Sequence, residues 1–247
     1  MLQPEPHIQK TWIYRGVERT FRFLADYHQY NVYGFENIPA SGPAMIAGNH
    51  SVAMYDSFMI ALPILDRLQR HVYGLADHLL FKLPAIGRIF RETGFVPGTR
   101  DAATDFIKQG NMVGCMPGGM REALRGPEDK YRVDWRGRRG FVWVAMKSGA
   151  PIILVASPRG DDIFDVKPNR FTRWAIDTLH VPFAMISGRG GMPVPKPVKL
   201  TQLVSEPLHA DVAPDQVTER DVEAMHVRVC ERMDRLMSEA LEIEADD

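Results

Sequence analysis

One stretch of the chain, AMIAGNHSVAMYD at residues 44–56, joins a short apolar run to a histidine and an aspartate. The apolar residues 44–47 predict a buried strand, and a second apolar run at 57–62 predicts a helix. A histidine at such a strand-to-helix switch, with a carboxylate six positions further on, can act as a general base that its neighbour holds in one tautomer. His50 and Asp56 are therefore the first catalytic candidates. The alternative is a helix-capping Asn-His dipeptide followed by an unrelated surface aspartate.

Composition bounds the class of protein. The chain has 247 residues, of which 45% are hydrophobic and 25% charged, as expected of a folded globular protein with a substantial core. With 30 basic and 31 acidic residues, the net charge of -1 gives no overall drive toward nucleic acid. Cys115 and Cys230 are expected to be reduced thiols of a cytosolic protein. We expect no membrane-spanning helix and no signal peptide.

Apolar periodicity gives a coarse order of elements. Strands are predicted within 31–39, 44–47, 71–76, 94–97, 112–116, 151–155 and 198–204. Helices are predicted at 8–28, 56–68 with an interruption at Pro63, 81–90 bent by Pro84, 101–110, 140–148, 170–180 and from Thr218 onward. Strands that alternate with helices predict an α/β fold, with a mixed, mostly parallel central sheet covered by helices on both faces.

The N-terminal helix, residues 8–28, has apolar and aromatic residues at near-helical spacing with Lys10, Arg15, Arg19 and Arg22 between them. A basic amphipathic helix of this kind is typical of a segment that lies in a membrane interface. The alternative is a helix that packs on the core of the domain and exposes its basic face to solvent. We therefore divide the chain into residues 1–30, a possible membrane-interface segment, and residues 31–247, a single domain.

A second polar segment, Pro-Gly-Gly-Met-Arg-Glu at 117–122, follows the predicted strand at 112–116. The adjacent glycines, Gly118 and Gly119, allow the backbone to approach a ligand closely and to point N–H groups at it. Another candidate anion site is the start of the helix near Arg100, although an ordinary capped turn explains that sequence equally well.

Three blocks occur together in one order: Asn49-His50 with Asp56, the string PGGMREAL at 117–124, and a late proline-rich segment from Met192 to Pro207. Together they resemble the glycerolipid acyltransferase superfamily, over about residues 30 to 210. The string at 117–124, Lys130-Tyr131 and residues 149–153 look closest to the monoacylglycerol and diacylglycerol acyltransferase-like branch, which includes the plant phytyl ester synthase type.

Two departures from the family pattern matter. Phosphate-acceptor enzymes of the superfamily usually have four residues between the histidine and the aspartate, whereas five separate His50 from Asp56. The chain must therefore turn between residues 50 and 53 before the helix begins, or the two side chains cannot meet. The second departure is Gly118, which stands where those relatives have a glutamate. Its lack of a side chain favours a neutral alcohol as acceptor.

The resemblance implies transfer of a fatty acyl group from acyl-CoA, or another acyl thioester, to a hydroxyl of a lipid. His50 would be the general base and Asp56 would orient it. The substrate-binding residues implied in this way are Asn49, Gly118, Gly119, Arg121 and Glu122, with Arg91 and Arg100, and less directly Arg138 or Arg139, for the CoA phosphates. Each of these arginines could instead form a surface ion pair.

No cofactor is expected beyond acyl-CoA as co-substrate. The eight histidines show no pair at ligand spacing, so no metal site is predicted. The expected partners are acyl-CoA, a lipid acceptor and a membrane surface, contacted through residues 8–28. The expected location is the cytoplasm, peripheral on the inner face of a membrane.

Two other functions stay open. One is a lipid-binding or acyl-CoA-binding protein that keeps the fold but has lost turnover through the lengthened His-Asp spacing. The other is an esterase or thioesterase in which Ser51 is the nucleophile, although the chain has no Gly-x-Ser-x-Gly elbow.

Overall fold

The computed structural model describes residues 11–76, 78, 80–167 and 185–246. Its centre is a seven-stranded sheet in the order β1-β9-β6-β2-β5-β3-β4. The strands of this sheet are β1 (Asn31–Tyr33), β2 (Ala44–Gly48), β3 (Val72–Ala76), β4 (Phe95–Pro97), β5 (Met112–Cys115), β6 (Ile152–Ala156) and β9 (Thr201–Val204). A separate antiparallel pair is formed by β7 (Asp165–Lys167) and β8 (Met185–Ser187).

Strand direction in the central sheet is mostly parallel. The middle strand, β2, pairs in parallel with both β5 and β6, and only β6 and β9 run antiparallel. The predicted mixed, mostly parallel sheet is thereby confirmed. Because β2, β5 and β6 are parallel neighbours, the segments that follow them leave the sheet at the same edge.

Helices cover both faces of this sheet. They are α1 (Trp12–Tyr27), α2 (Tyr55–Phe58), α3 (Ala61–Leu68), α4 (Pro84–Glu92), α5 (Arg100–Lys108), α6 (Gly119–Ala123), α7 (Gly140–Ser148) and α8 (Glu219–Asp246). Alternate residues of β2 face opposite sides, since Met45 packs in the core under α5, α7 and α8, and Ile46 packs in the core under α3. In the described part of the chain, no helix combines the length and apolar composition needed to cross a bilayer.

The two predicted proline effects had different outcomes. The helical segment after His50 is interrupted, but at residues 59–60 and not at Pro63, which lies in the first turn of α3. Pro63 has no N–H to donate to the carbonyl of Met59, so the helical hydrogen bond is missing four residues before the proline. The bend predicted at Pro84 is wrong: Pro84 is the first residue of α4, where its missing N–H costs nothing. The predicted helix at 170–180 lies outside the described residues.

Helix α1 packs on its own domain, against α3 and α4. Phe21 and Leu24 join a buried cluster with Met59, while Trp12 and Phe23 stay exposed on the other side of the helix. The inner face of α1 therefore packs on the core of the domain, which is the second of the two interpretations given above for this helix. Its outer face carries Trp12 and Phe23 together with exposed arginines.

Candidate active site

The histidine singled out in the sequence follows the middle strand of the sheet. His50 lies two residues beyond the end of β2 and is only 6% exposed. Its ring Nδ1 is 2.8 Å from the backbone carbonyl oxygen of Ser51. A carbonyl only accepts, so Nδ1 carries the hydrogen and donates it. Among the described residues nothing hydrogen-bonds to Nε2, which is left with its lone pair.

The surroundings of His50 keep its imidazole neutral. Burial lowers the pKa of His50 below its ordinary 6.5, and the positive charges of Arg125 and Arg138 lower it further. The Nδ1 hydrogen bond to Ser51 acts in the opposite direction but is the smaller effect. A neutral ring with a free Nε2 lone pair is the form that can accept a proton.

The turn required before the helix is present. Met54 has a φ of 62°, an unusual value for a residue with a side chain, and α2 begins at the next residue. This tight turn brings Asp56 back toward the start of the segment. The carboxylate of Asp56 accepts a hydrogen bond of 2.5 Å from the Ser51 hydroxyl.

Asp56 does not hydrogen-bond directly to His50 in the described structure; Ser51 stands between them, with its carbonyl on His50 and its hydroxyl on Asp56. Asp56 is completely buried, and its second oxygen, Oδ2, has no hydrogen-bond partner among the described residues. Burial raises the pKa of Asp56 to about 6, and the hydrogen bond from Ser51 lowers it only in part.

The glycine-rich block reaches His50 through Glu122. The Glu122 carboxylate accepts hydrogen bonds from the backbone N–H of His50 at 3.0 Å, the backbone N–H of Asp134 at 3.2 Å and Nε1 of Trp135 at 3.3 Å. Burial raises the pKa of Glu122 to about 7. A Cβ at Gly118 would lie 1.8 Å from Oε2 of Glu122, so glycine is required at 118 for the carboxylate to reach His50.

A buried arginine holds the same region together. Arg125 donates to the carbonyl oxygens of His50 at 2.7 Å and Glu122 at 2.8 Å. Its guanidinium also pairs with Asp161 at 3.4 Å. Asp161 in turn accepts from the backbone N–H of Tyr131 at 2.8 Å. The loops after β2, β5 and β6 therefore meet around one cation.

Asn49 ties two strand ends together. Its Nδ2 donates to the carbonyl oxygen of Ser157 at 3.0 Å, and its Oδ1 accepts from the backbone N–H of Ser157 at 2.7 Å. Asn49 and Ser157 follow β2 and β6, which are neighbours in the sheet. The amide group of Asn49 thus holds the backbone that carries His50.

Gly119 and two arginines lie on the open side of this arrangement. Gly119 has a φ of 56°, and a Cβ there would be 2.7 Å from a guanidinium nitrogen of Arg138. Its N–H donates to the carbonyl of Met116 at 3.3 Å. Arg138 is exposed, and its charge is felt by His50. Arg121 is also exposed and interacts electrostatically with Asp134.

The two arginines assigned to CoA phosphates lie elsewhere. Arg100 begins α5 just after β4, with its guanidinium 5.4 Å from the centre of the Trp143 ring, and Thr99 makes no side-chain cap there. Since β4 is three strands from β2, its end lies roughly 14 Å from the end of β2. Arg91 is exposed on α4, with Nη1 3.5 Å from the carbonyl of Phe81. Neither contacts His50, and their role stays a prediction.

The structure also shows site residues that sequence reasoning missed. Ser51 appeared only as a possible nucleophile, while Arg125, Gly160 and Asp161 were not singled out. Nothing in the spacing of Arg125 and Asp161 marks them as partners, because they are 36 positions apart and meet only when β5 and β6 flank β2. The described residues contain no group of three or more metal-ligating side chains placed to hold an ion.

Comparison with known proteins connects this geometry to a family. The fold is similar to the crystal structure of the 1-acyl-sn-glycerophosphate acyltransferase from Thermotoga maritima, with a TM-score of 0.53 and 20% identity over 91% of this chain and 77% of that one. At this identity the likeness shows the fold alone.

Two mammalian proteins, from Bos taurus and Homo sapiens, are each 28% identical over 225 residues, which is 88% of this chain. Each is described as a "DGAT1/2-independent enzyme synthesizing storage lipids". The match covers 65% of the bovine protein and 67% of the human one, so the chain spans about two thirds of their length.

The family pattern described as Acyltransferase matches residues 29–157, just over half of the chain. This range contains β2, β5 and β6 together with His50, Asp56, Glu122 and Arg125, and it ends just before Gly160 and Asp161. The chain therefore belongs to the acyltransferase family, within the glycerolipid acyltransferase superfamily that its motifs resemble.

Proposed function

We propose that the protein transfers a fatty acyl group from acyl-CoA to a hydroxyl of a lipid acceptor, with His50 as general base. The observation that carries this proposal is the state of the imidazole. Nδ1 is occupied as a donor to Ser51, burial keeps the ring neutral, and Nε2 is unpartnered among the described residues. These are the properties that a base for an alcohol needs near neutral pH.

In the proposed reaction, Nε2 of His50 takes the proton of the acceptor hydroxyl as its oxygen attacks the thioester carbonyl. The carbon–oxygen bond forms, the carbon–sulfur bond breaks, and the imidazolium returns the proton to the departing thiolate. The products are an ester and free CoA. No acyl-enzyme is needed, because the substrate hydroxyl takes the role that serine has in a Ser-His-Asp site. A positioned base of this kind contributes about 10²- to 10⁴-fold.

A neutral acceptor, such as a glyceride or a long-chain alcohol, is favoured by the surroundings of Gly118. The Glu122 carboxylate fills the space where a side chain at 118 would stand, and it accepts three N–H groups. The Glu122 oxygens are thus occupied by groups of the protein itself, and Gly118 has no side chain to offer a phosphorylated head group. The mammalian relatives are described as synthesizing storage lipids, which supports the same class of acceptor.

An apolar cavity of about 270 Å³ offers space for a hydrocarbon chain. It is lined by residues of α1, α3, α4, β3 and β4, and also by Phe58. Phe58 belongs to α2, the short helix that also carries Asp56. We propose that one acyl chain of the substrates lies in this cavity.

The same geometry disfavours the hydrolytic alternative. The Ser51 hydroxyl is fully buried, donates to Asp56 and accepts from the backbone N–H of Ala53 at 3.1 Å. A serine nucleophile has to face the substrate and to donate to its base. Ser51 does neither with His50, whose Nδ1 is bonded to the serine carbonyl.

We further propose that the protein acts at a membrane surface, peripheral on its cytoplasmic side, through the outer face of α1. Trp12 is 76% exposed and Phe23 65% exposed, and Arg15 and Arg19 lie exposed on the same helix. Large apolar side chains beside cations fit an anionic interface, where each cation contributes roughly 1 kcal/mol.

The test measures thiol release from acyl-CoA with neutral glycerides, long-chain alcohols and phosphorylated acceptors. We expect release with a neutral acceptor and loss of about 10²- to 10⁴-fold in kcat for His50→Ala. His209→Ala, at an exposed histidine, is the matched control. Acyl-CoA binding without thiol release would support the non-catalytic alternative, and a preference for phosphorylated acceptors would contradict the interpretation of Gly118.

A further inference from the structure

We infer that Ser51 is a positioning residue through which Asp56 holds the imidazole of His50 in its proton-accepting orientation. The inference rests on the proposed role of His50 as the base. It differs from a direct His-Asp pair, because the carboxylate and the ring have no hydrogen bond between them among the described residues.

Ser51 uses its two oxygens in two directions. Its hydroxyl donates to Oδ1 of Asp56 at 2.5 Å and accepts from the N–H of Ala53 at 3.1 Å, so the side chain is fixed at both ends. Its carbonyl oxygen accepts from Nδ1 of His50 at 2.8 Å. A fixed side chain restrains the rotation of its own peptide group, and the carbonyl therefore keeps its direction toward the ring.

Two further contacts hold Asp56 in position. Its backbone carbonyl accepts from Nε2 of Gln202 at 2.7 Å, in the buried region beside β9. Gly160 closes the other side, since a Cβ there would be 2.0 Å from Oδ2 of Asp56 and 3.2 Å from Cβ of Ser51. The backbone of Gly160 therefore limits the movement of the carboxylate on that side.

The chemical consequence concerns the tautomer. A carbonyl partner requires the hydrogen on Nδ1 and so leaves Nε2 as the proton acceptor. A neutral carbonyl also stabilises the imidazolium less than a carboxylate in contact would, so the resting ring stays neutral. With the longer His-Asp spacing, Asp56 therefore still orients the His50 ring, but through Ser51 and not by direct contact.

The first experiment is a double-mutant cycle on thiol release with Ser51→Ala, Asp56→Asn and the double variant. If Asp56 acts through Ser51, each single variant lowers kcat by about 10- to 100-fold with KM nearly unchanged. The double variant is then no slower than the slower single variant, because the two substitutions interrupt one pathway. Multiplicative losses in the double variant would overturn the inference.

The second experiment reads the tautomer directly, by nitrogen NMR of protein labelled with ¹⁵N-histidine, using His50→Ala to assign the signals. The unsubstituted protein is expected to show the Nδ1–H form at neutral pH. Ser51→Ala and Asp56→Asn are expected to shift the His50 signals toward a mixture of both tautomers. Ser205→Ala is the matched control, because this similarly buried serine accepts from the N–H of Leu154 in β6 and donates to the carbonyl of Glu206, and neither bond involves His50.

The outcomes separate the two proposals. Full activity in His50→Ala would refute the proposed base itself. An inactive His50→Ala combined with normal kcat and an unchanged tautomer in Ser51→Ala would refute only the role of Ser51. Detection of an acyl group on Ser51 by mass spectrometry would overturn it in another way, by making the serine a nucleophile. Should Ser51→Ala fold poorly, Ser51→Cys takes its place in both experiments, because a thiol occupies a similar space but is only a weak hydrogen-bond donor.

Discussion

Gly160 faces the carboxylate of Asp56 so closely that a Cβ at position 160 would lie 2.0 Å from Oδ2. The backbone of Gly160 is outside the left-handed region, so space and not conformation requires glycine here. Gly160 lies in the segment after β6, and Asp56 lies in α2, which follows β2. The segment after β6 therefore limits where the Asp56 carboxylate can lie.

Gly160→Ala is therefore expected to displace Asp56. Forcing an extra methyl group into a packed site costs about 1–3 kcal/mol. Urea unfolding should show this loss in the free energy of unfolding, and kcat should fall because Asp56 loses its place. Gly16→Ala is the control, since nothing lies within 4 Å of a Cβ there and the helix α1 should gain slightly. Equal behaviour of the two variants would contradict the prediction.

The pH dependence of kcat/KM should have its acid limb below pH 6.5. The proposed base, His50, has to be neutral to accept a proton, and burial lowers its pKa, so the neutral form persists to a lower pH than for a free histidine. Asp56, with a pKa of about 6, becomes protonated in the same range and weakens the hold on Ser51. Initial rates of thiol release between pH 5 and 9 check this, and an acid limb above pH 7 would contradict it.

Asp56→Asn should lower the activity of the protein but raise its stability above about pH 6. The pKa of Asp56 is raised from 3.8 to about 6, so the folded protein favours the protonated carboxyl. The stability it contributes is present below pH 3.8 and is lost as pH rises through about 6. The neutral asparagine avoids this loss. The melting temperature of Asp56→Asn, relative to that of the unsubstituted protein, should therefore rise between pH 4 and pH 8; a constant difference would contradict the burial effect.

Membrane contact through α1 is tested by flotation with vesicles. Trp12→Ser combined with Phe23→Ser should reduce the fraction bound to anionic vesicles by about tenfold or more. Each aromatic ring that is replaced should cost roughly 1–3 kcal/mol of binding free energy, because it no longer buries apolar surface in the membrane. Val227→Ser is the matched control, since Val227 is 51% exposed on α8. Binding that is insensitive to the aromatic pair would place the contact elsewhere.

Much of the fold follows from local pattern. The apolar runs that became β2, β5 and β6 are bounded by glycine and polar residues, and the period of the terminal segment continues without proline or glycine through α8. Pro84 was misread because a proline that starts a helix and one that bends it occur in similar sequences. The pair β7 and β8 has three residues per strand, too short for a recognisable period.

The candidate site was predictable only in part. His50 and the glycine block were visible because they follow apolar strands, and parallel strands bring such segments to one edge. The roles of Glu122 and Asn49 in holding His50 were not visible, since they depend on hydrogen bonds to backbone groups of distant segments. The link through Ser51 depends on the dihedral angles of the turn at Met54, and residue spacing does not determine these.

The paired hydrogen bonds between Asn49 and Ser157 have a mechanical consequence. They join the C-terminal ends of β2 and β6, so these two strand ends cannot separate unless both hydrogen bonds break. We expect Asn49→Ala to let the ends of β2 and β6 separate and so to move the backbone that carries His50, which faster amide hydrogen exchange at these strand ends would reveal.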